Sequence, residues 1–245
     1  LYTKSSESSY RSIGTSSPKT QESTEKQNHK QMEIKKYFLV LLILITSIHS
    51  FGQKPVSGIV LTTDETVNDS DIRRLLAFEG IEFLKIRYNG DELINKSYRI
   101  TVKEIWNGKI KSESDLINSA DFPVRNIKRI NDTIFTIDII SKLTSNNKLK
   151  MRFAFPGVTV ERQFDAVNSE NYSLRNMVEG KHSKIEPGKK FYFLTYMLPY
   201  KKDEVLYWCT VLNSETEIEN WGKEYDIEHY LVFEMIFEAE DTNWT

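Results

Sequence analysis

The sequence predicts an all-β fold, mainly antiparallel: a β-sandwich or flattened barrel of about eight or nine strands with two or three short helices. Two observations predict it. Apolar and polar residues alternate with a period of two in segment after segment, as in strands with one buried face. Several gaps between those segments are too short to hold a crossover helix, so the strands they join must run antiparallel.

In chain order, residues 58–62 form a short first strand. Residues 69–79 read as a helix: Asn68 and Asp69 supply the cap and an acidic first turn, Ile72, Leu75 and Leu76 share a face, and Gly80 follows its end. Residues 82–89 place Leu84, Ile86 and Tyr88 on one side. Tyr98, Ile100 and Val102 alternate with Arg99, Thr101 and Lys103, and Trp106-Asn107-Gly108 turns the chain. Phe135, Ile137 and Ile139 mark one strand, and Leu149, Met151, Phe153 and Phe155 the next. Ser145-Asn146-Asn147 joins those two as a hairpin, and Pro156-Gly157 ends the second. Residues 158–164 are a further candidate strand.

Residues 172–179 read as a short helix ended by Gly180. Residues 191–198 and 205–212 are apolar on both faces, the mark of central strands, with Tyr200-Lys201-Lys202-Asp203 as their turn. Ser214-Glu215-Thr216-Glu217 is a capping box for a helix that presents Ile218 and Trp221 and stops at Gly222. Residues 230–240 set Leu231, Phe233, Met235 and Phe237 against Glu234, Glu238 and Glu240.

Ahead of this body lies an address. Lys35 and Lys36 precede an apolar run over residues 37–45, and Ser50 and Gly52 are small residues before Gln53. Basic residues, apolar core and small-x-small site are the order of a bacterial secretory signal peptide. The run is too short for a membrane helix, which needs roughly 20 residues. The expected organisation is a disordered or spurious extension at 1–31, a signal peptide at 32–52 and a single β-rich domain at 53–245. The exported chain is then periplasmic or extracellular, without an integral membrane span. With no cysteine at the cleavage point, it is not expected to be a lipoprotein.

The chain carries 33 basic and 35 acidic residues, seven and four of them within residues 1–52. Residues 53–245 therefore hold 26 against 31, a net charge of −5. That balance lacks the basic face of a nucleic-acid binder. Cys209 is the single cysteine and reads as a small buried hydrophobe.

Catalytic patterns are missing. His182 and His229 have no partner at metal-ligand spacing and read as surface residues, so neither a metal nor a cofactor is predicted. Glu161 with Asp165, and Glu234 with Glu238, share strand faces about 13 Å apart. That exceeds either glycosidase separation, about 5.5 Å or up to about 9.5 Å. Asp64, Glu65, Asn68, Asp69 and Asp71 lack the calcium-loop spacing. Trp208 reads as core. Trp106, in its turn, and Trp221, at its helix end, are the candidate ligand-binding rings, Trp106 the better.

The expectation is a non-catalytic exported module that binds a protein partner or supports envelope assembly. A carbohydrate-binding module presenting aromatic rings to a glycan is the first alternative. A carboxylate-dependent hydrolase is the second.

Overall fold

The chain divides into two units, Leu1–Pro55 and Val56–Thr245. The computed structural model describes residues 58–64, 67–177, 184–208 and 216–238, all in the second unit. The expected signal peptide, His182, Cys209 and the first half of the capping box lie outside the described residues.

The strands follow from the alternation. They are β1 (Val60–Asp64), β2 (Ile81–Asn89), β3 (Ser97–Trp106), β4 (Lys109–Asn118), β5 (Ile134–Leu143), β6 (Lys148–Phe155), β7 (Val158–Asp165), β8 (Ser173–Asn176), β9 (Phe191–Met197), β10 (Tyr200–Lys202), β11 (Val205–Tyr207) and β12 (His229–Glu238). Three short helices accompany them among the described residues: α1 (Ser70–Phe78), α2 (Arg125–Lys128) and α3 (Trp221–Glu224).

Two five-stranded sheets form, in the orders β1-β2-β5-β6-β7 and β4-β3-β12-β9-β8, with β10-β11 as a separate hairpin. Every strand pair is antiparallel. The apolar faces of the two sheets meet. Tyr88 on β2 packs edge-on against Phe237 on β12 with centroids 5.1 Å apart, and Phe153 on β6 meets Phe233 on β12 at 5.3 Å. Tyr98 on β3 lies 4.6 Å from Phe135 on β5 and 5.5 Å from Phe155 on β6. This is the predicted sandwich.

Its turns use the chemistry expected of them. Asn107 and Gly108 take φ of 48° and 67° between β3 and β4, the left-handed pair of a tight hairpin. Asn147 closes β5–β6 at φ 53° and Gly157 closes β6–β7 at φ 83°. Asp69 caps α1 as predicted, its Oδ1 accepting from the N–H groups of Asp71 (2.8 Å) and Ile72 (3.1 Å).

Several expectations need correction. Residues 172–179 are not a helix where they are described: Ser173–Asn176 pairs with β9, because the Leu174 N–H finds an acceptor in the Glu82 carboxylate and the strand edge supplies the rest. Lys109–Asn118 forms a strand that its polar composition conceals, since most of it is an exposed edge. Val205–Tyr207 is no central strand. Asp203 and Glu204 make a tight turn at φ 49° and 65°, folding β11 back on Tyr200–Lys202 in an exposed ribbon. Trp208 is accordingly half-buried, its indole N–H donating to the Asn171 carbonyl at 3.3 Å.

Gly222 lies inside α3 rather than ending it. A Cβ there would stand 2.4 Å from the Gly108 nitrogen, so glycine permits the α3 backbone to touch the β3–β4 turn. This contact draws the segment 216–228 over the outer face of the second sheet. Tyr230 anchors it, donating to the Ile218 carbonyl (2.8 Å) and accepting from the Gly222 N–H (3.2 Å). Lys103 and Tyr192 both donate to Glu219, at 2.7 and 2.5 Å. No helix among the described residues is long and apolar enough to cross a membrane.

Candidate functional site

At one end of the sandwich the strand parity that buries apolar side chains buries polar ones instead. Glu82 shares the inward face of Leu84, Ile86 and Tyr88. Glu104 and Trp106 continue the row Tyr98, Ile100, Val102, and His229 begins the row Leu231, Phe233, Met235, Phe237. Ser141 pairs with Met151 and follows Phe135, Ile137 and Ile139 inward. Tyr196 faces Leu231 across β9 and β12. The registers bring these positions to one end of each sheet.

The half nearer β3 and β4 is a closed charge network. Glu104 is buried and accepts from the Trp106 indole N–H (2.7 Å), Lys111 Nζ (3.1 Å) and the Ser112 hydroxyl (3.3 Å). Lys111 reaches it because β4 carries a bulge. Glu104 pairs with Ser112 and Ile105 with Ile110, which leaves Lys111 as the extra residue, re-aimed inward. Lys111 also donates to Asp165 Oδ2 (2.7 Å), which Lys148 bonds from the neighbouring strand. These two ammonium groups hold the Asp165 carboxyl at about 2, below the ordinary aspartate range.

His229 lies at the floor of this network, 0% exposed. Its ring centroid is 4.1 Å from that of Trp106. The Tyr172 hydroxyl accepts from the Val167 N–H (3.0 Å) and sits 2.6 Å from His229 Nδ1. The two groups share one short hydrogen bond, whose donor is set by the imidazole tautomer. Nε2 faces Glu104 Oε1 at 3.9 Å and makes no hydrogen bond. Burial pushes the imidazole down to about 4, against the opposing pull of Glu104. At neutral pH the group is neutral, and His229 is a buried residue rather than the surface histidine its sequence context suggested.

The half nearer β2 and β8 is open. Between α1, the β5–β6 turn and the segment leading into β8 runs a groove of about 690 Å³. Phe78, Glu79, Glu82, Glu170, Tyr172 and Tyr196 are among the residues that line it. Glu82 spans the gap between the sheets: Oε2 accepts from the Leu174 N–H (2.8 Å) and the Ser173 hydroxyl (3.4 Å). Burial raises its carboxyl above the usual glutamate value, partly offset by the Leu174 N–H and the positive charge of Arg175. Tyr172 joins the two halves, presenting its ring to the groove and its hydroxyl to His229.

Above the groove stands α1, whose apolar side chains do not pack down as the helical pattern suggested. None of its residues is buried. Phe78 is 87% exposed, Leu75 60% and Ile72 46%, with only Leu76 half-buried.

The rings singled out from the sequence lie elsewhere. Trp221 is 2% exposed and packs beside Tyr230 under the segment that covers the second sheet. Trp106 is half-buried in the charge network, with His229 against its ring and the Lys111 ammonium 5.3 Å from its centroid. The surface carboxylates are taken by cross-strand cations: Glu161 by Lys150 (3.0 Å), Glu234 by Lys190 (2.7 Å) and Glu238 by Arg99 (3.2 Å). No group of three or more His, Cys, Asp or Glu side chains placed to hold a metal occurs among the described residues.

Glu82, Glu104, Tyr172, Tyr196 and His229 were not among the sequence candidates. The usable signal was a charged or polar residue at an inward parity position, at the end of an otherwise apolar row. No protein-family model, curated protein or solved structure matches this chain.

Proposed function

We propose that the protein is an exported, non-catalytic β-sandwich module that binds a protein partner at the open polar end. The observation that carries this reading is α1: three large apolar side chains, Ile72, Leu75 and Phe78, stand in water on one short helix, and Phe78 lines the groove beside it. An isolated exposed leucine is ordinary. A cluster rimmed by polar groups beside a concavity is the arrangement of a recognition surface. The closed network of Glu104 and Lys111 gives that end a rigid floor, and its charges are already satisfied by one another. Export to the periplasm or beyond is part of the same proposal and rests on the order of residues at 32–52.

Photo-crosslinking tests it. With a benzophenone side chain in place of Phe78 in the native host, a discrete protein adduct is expected, and none from the same group at Asn131, an exposed loop position. An identical adduct pattern from both positions removes the reading.

A further inference from the structure

The groove below α1 has a charge as well as a shape. Three of its lining side chains are carboxylates, Glu79, Glu82 and Glu170, and no lysine, arginine or histidine lines it among the described residues. Two cations lie just outside. Lys142 stands 3.7 Å from Glu79, and Arg175, on β8, acts on Glu82 while lying 5.6 Å over the Trp208 ring. They leave the groove a net acidic lining. Three rings line it as well, the exposed Phe78 and the buried Tyr172 and Tyr196, beside neutral polar side chains of the β5–β6 turn.

Next to Glu82 on the inner face lies a buried hydroxyl. Ser141 pairs in register with Glu82, shares the inner face and is 1% exposed. Its Oγ lies beside the Tyr196 hydroxyl, which hydrogen-bonds with it. Tyr196 acts in the same way on the Glu82 carboxylate, so Ser141, Tyr196 and Glu82 form one polar row at this end of the inner face.

We infer that the groove receives a basic side chain, arginine or lysine, from an extended segment of the protein partner, with Glu82 as its counter-ion. The inference rests on the partner reading above and gives that partner its chemistry. A cation is the one class of group that three carboxylates attract and three aromatic faces also favour. Phe78 and Ile81 line the same groove as Glu82, so the long apolar stem of such a side chain has apolar surface to lie on while its head pairs with the carboxylate. A neutral glycan meets the rings but leaves the acidic lining unanswered. An anionic partner is repelled. The apolar rim of α1 then covers the residues that flank the basic one.

The Leu174 amide reports on this directly, because its N–H donates to Glu82. The 15N-labelled protein is titrated with acetyl-Leu-Arg-Leu-amide and with the same peptide carrying citrulline, which keeps the shape and removes the charge. Expected are saturable shifts of the Leu174 and Phe78 amides with the arginine peptide and binding at least about tenfold weaker with citrulline. Glu82→Gln should abolish the Leu174 response while the rest of the spectrum is unchanged. Equal binding of the two peptides overturns the inference, and needs no variant to show it. So does an arginine response that survives in Glu82→Gln. n-Propylguanidine, the free cationic side chain, should bind more weakly than the peptide; binding as tight as the peptide overturns the peptide source in favour of a small cation. A Phe78 cross-link with a silent Leu174 amide sinks this inference alone. A responding Leu174 with no Phe78 cross-link sinks the protein-partner reading instead.

Discussion

The two ends of the sandwich are built on the same strands and the same parity, and they differ in what occupies the inward positions. At the end where β2 and β12 finish, the inner face is a cluster of rings: Tyr88, Tyr98, Phe135, Phe155, Phe191 and Phe237, with centroids 4.6–6.4 Å apart. At the end where those strands begin, the equivalent positions carry Glu82, Ser141, Tyr172, Tyr196 and His229. The first end gains free energy from burial and ring contacts. The second forgoes much of that gain, and its polar groups must be satisfied by one another or by a visitor. The comparison teaches that ring packing holds one end of the sandwich and that paired polar groups and an open groove make up the other.

The largest effect that would break or sharpen this contrast lies at the aromatic end. Phe237→Ala removes a fully buried ring that touches Tyr88, Phe135 and Phe191. It should cost about 3–5 kcal/mol of unfolding free energy in urea titration. A loss below about 1 kcal/mol would mean that this end does not hold the fold.

The next effect belongs to the polar end and to pH. The His229 imidazole falls from its ordinary 6.5 to about 4 on folding. Between those values the unfolded chain binds more protons than the folded one, so unfolding free energy rises with pH. Stability from this group is complete above about pH 6.5 and is lost as pH falls toward about 4, amounting to about 3 kcal/mol. Glu82, whose carboxyl is raised by burial, acts in the opposite direction: its contribution is fullest below the unfolded glutamate value and is lost as pH rises through the folded one. Urea midpoints measured across mild acid should therefore drop as pH is lowered from about 6.5 toward 4 in the wild type, and drop less in His229→Gln. Equal slopes in the two proteins would show that His229 does not stay neutral in the folded state.

Much of the sandwich was legible because alternation reports burial, and one face of nearly every strand is buried. Strands escaped where that condition fails. Lys109–Asn118 is an exposed edge, so its inner face leaves only Leu116 and Ile117 as an apolar mark. Ser173–Asn176 is four residues long and is held by partners distant in sequence. Val205–Tyr207 is apolar for a reason local to its ribbon, where Tyr200 and Tyr207 stack at 5.5 Å. The candidate site was less legible still. Glu82, Glu104 and His229 each sit one step beyond an apolar row, where period-two counting normally stops and a polar residue is taken as the strand end. Which carboxylate meets which strand depends on register, and the bulge at Lys111 leaves no mark in composition.

The smallest effect tests the central claim most directly, because its sign is what matters. Unfolding free energies of the wild type and Glu82→Gln are to be compared at neutral pH and near pH 4. The variant keeps an acceptor for the Leu174 N–H and removes a half-buried charge, so the account predicts that it is as stable as the wild type at neutral pH or more stable, by up to about 1 kcal/mol. Near pH 4, where the carboxyl is protonated in both folded and unfolded chains to a larger extent, the difference should shrink. A neutral-pH loss of about 3 kcal/mol or more, comparable to truncating a core ring, would make Glu82 a structural strut and contradict a polar end kept for binding.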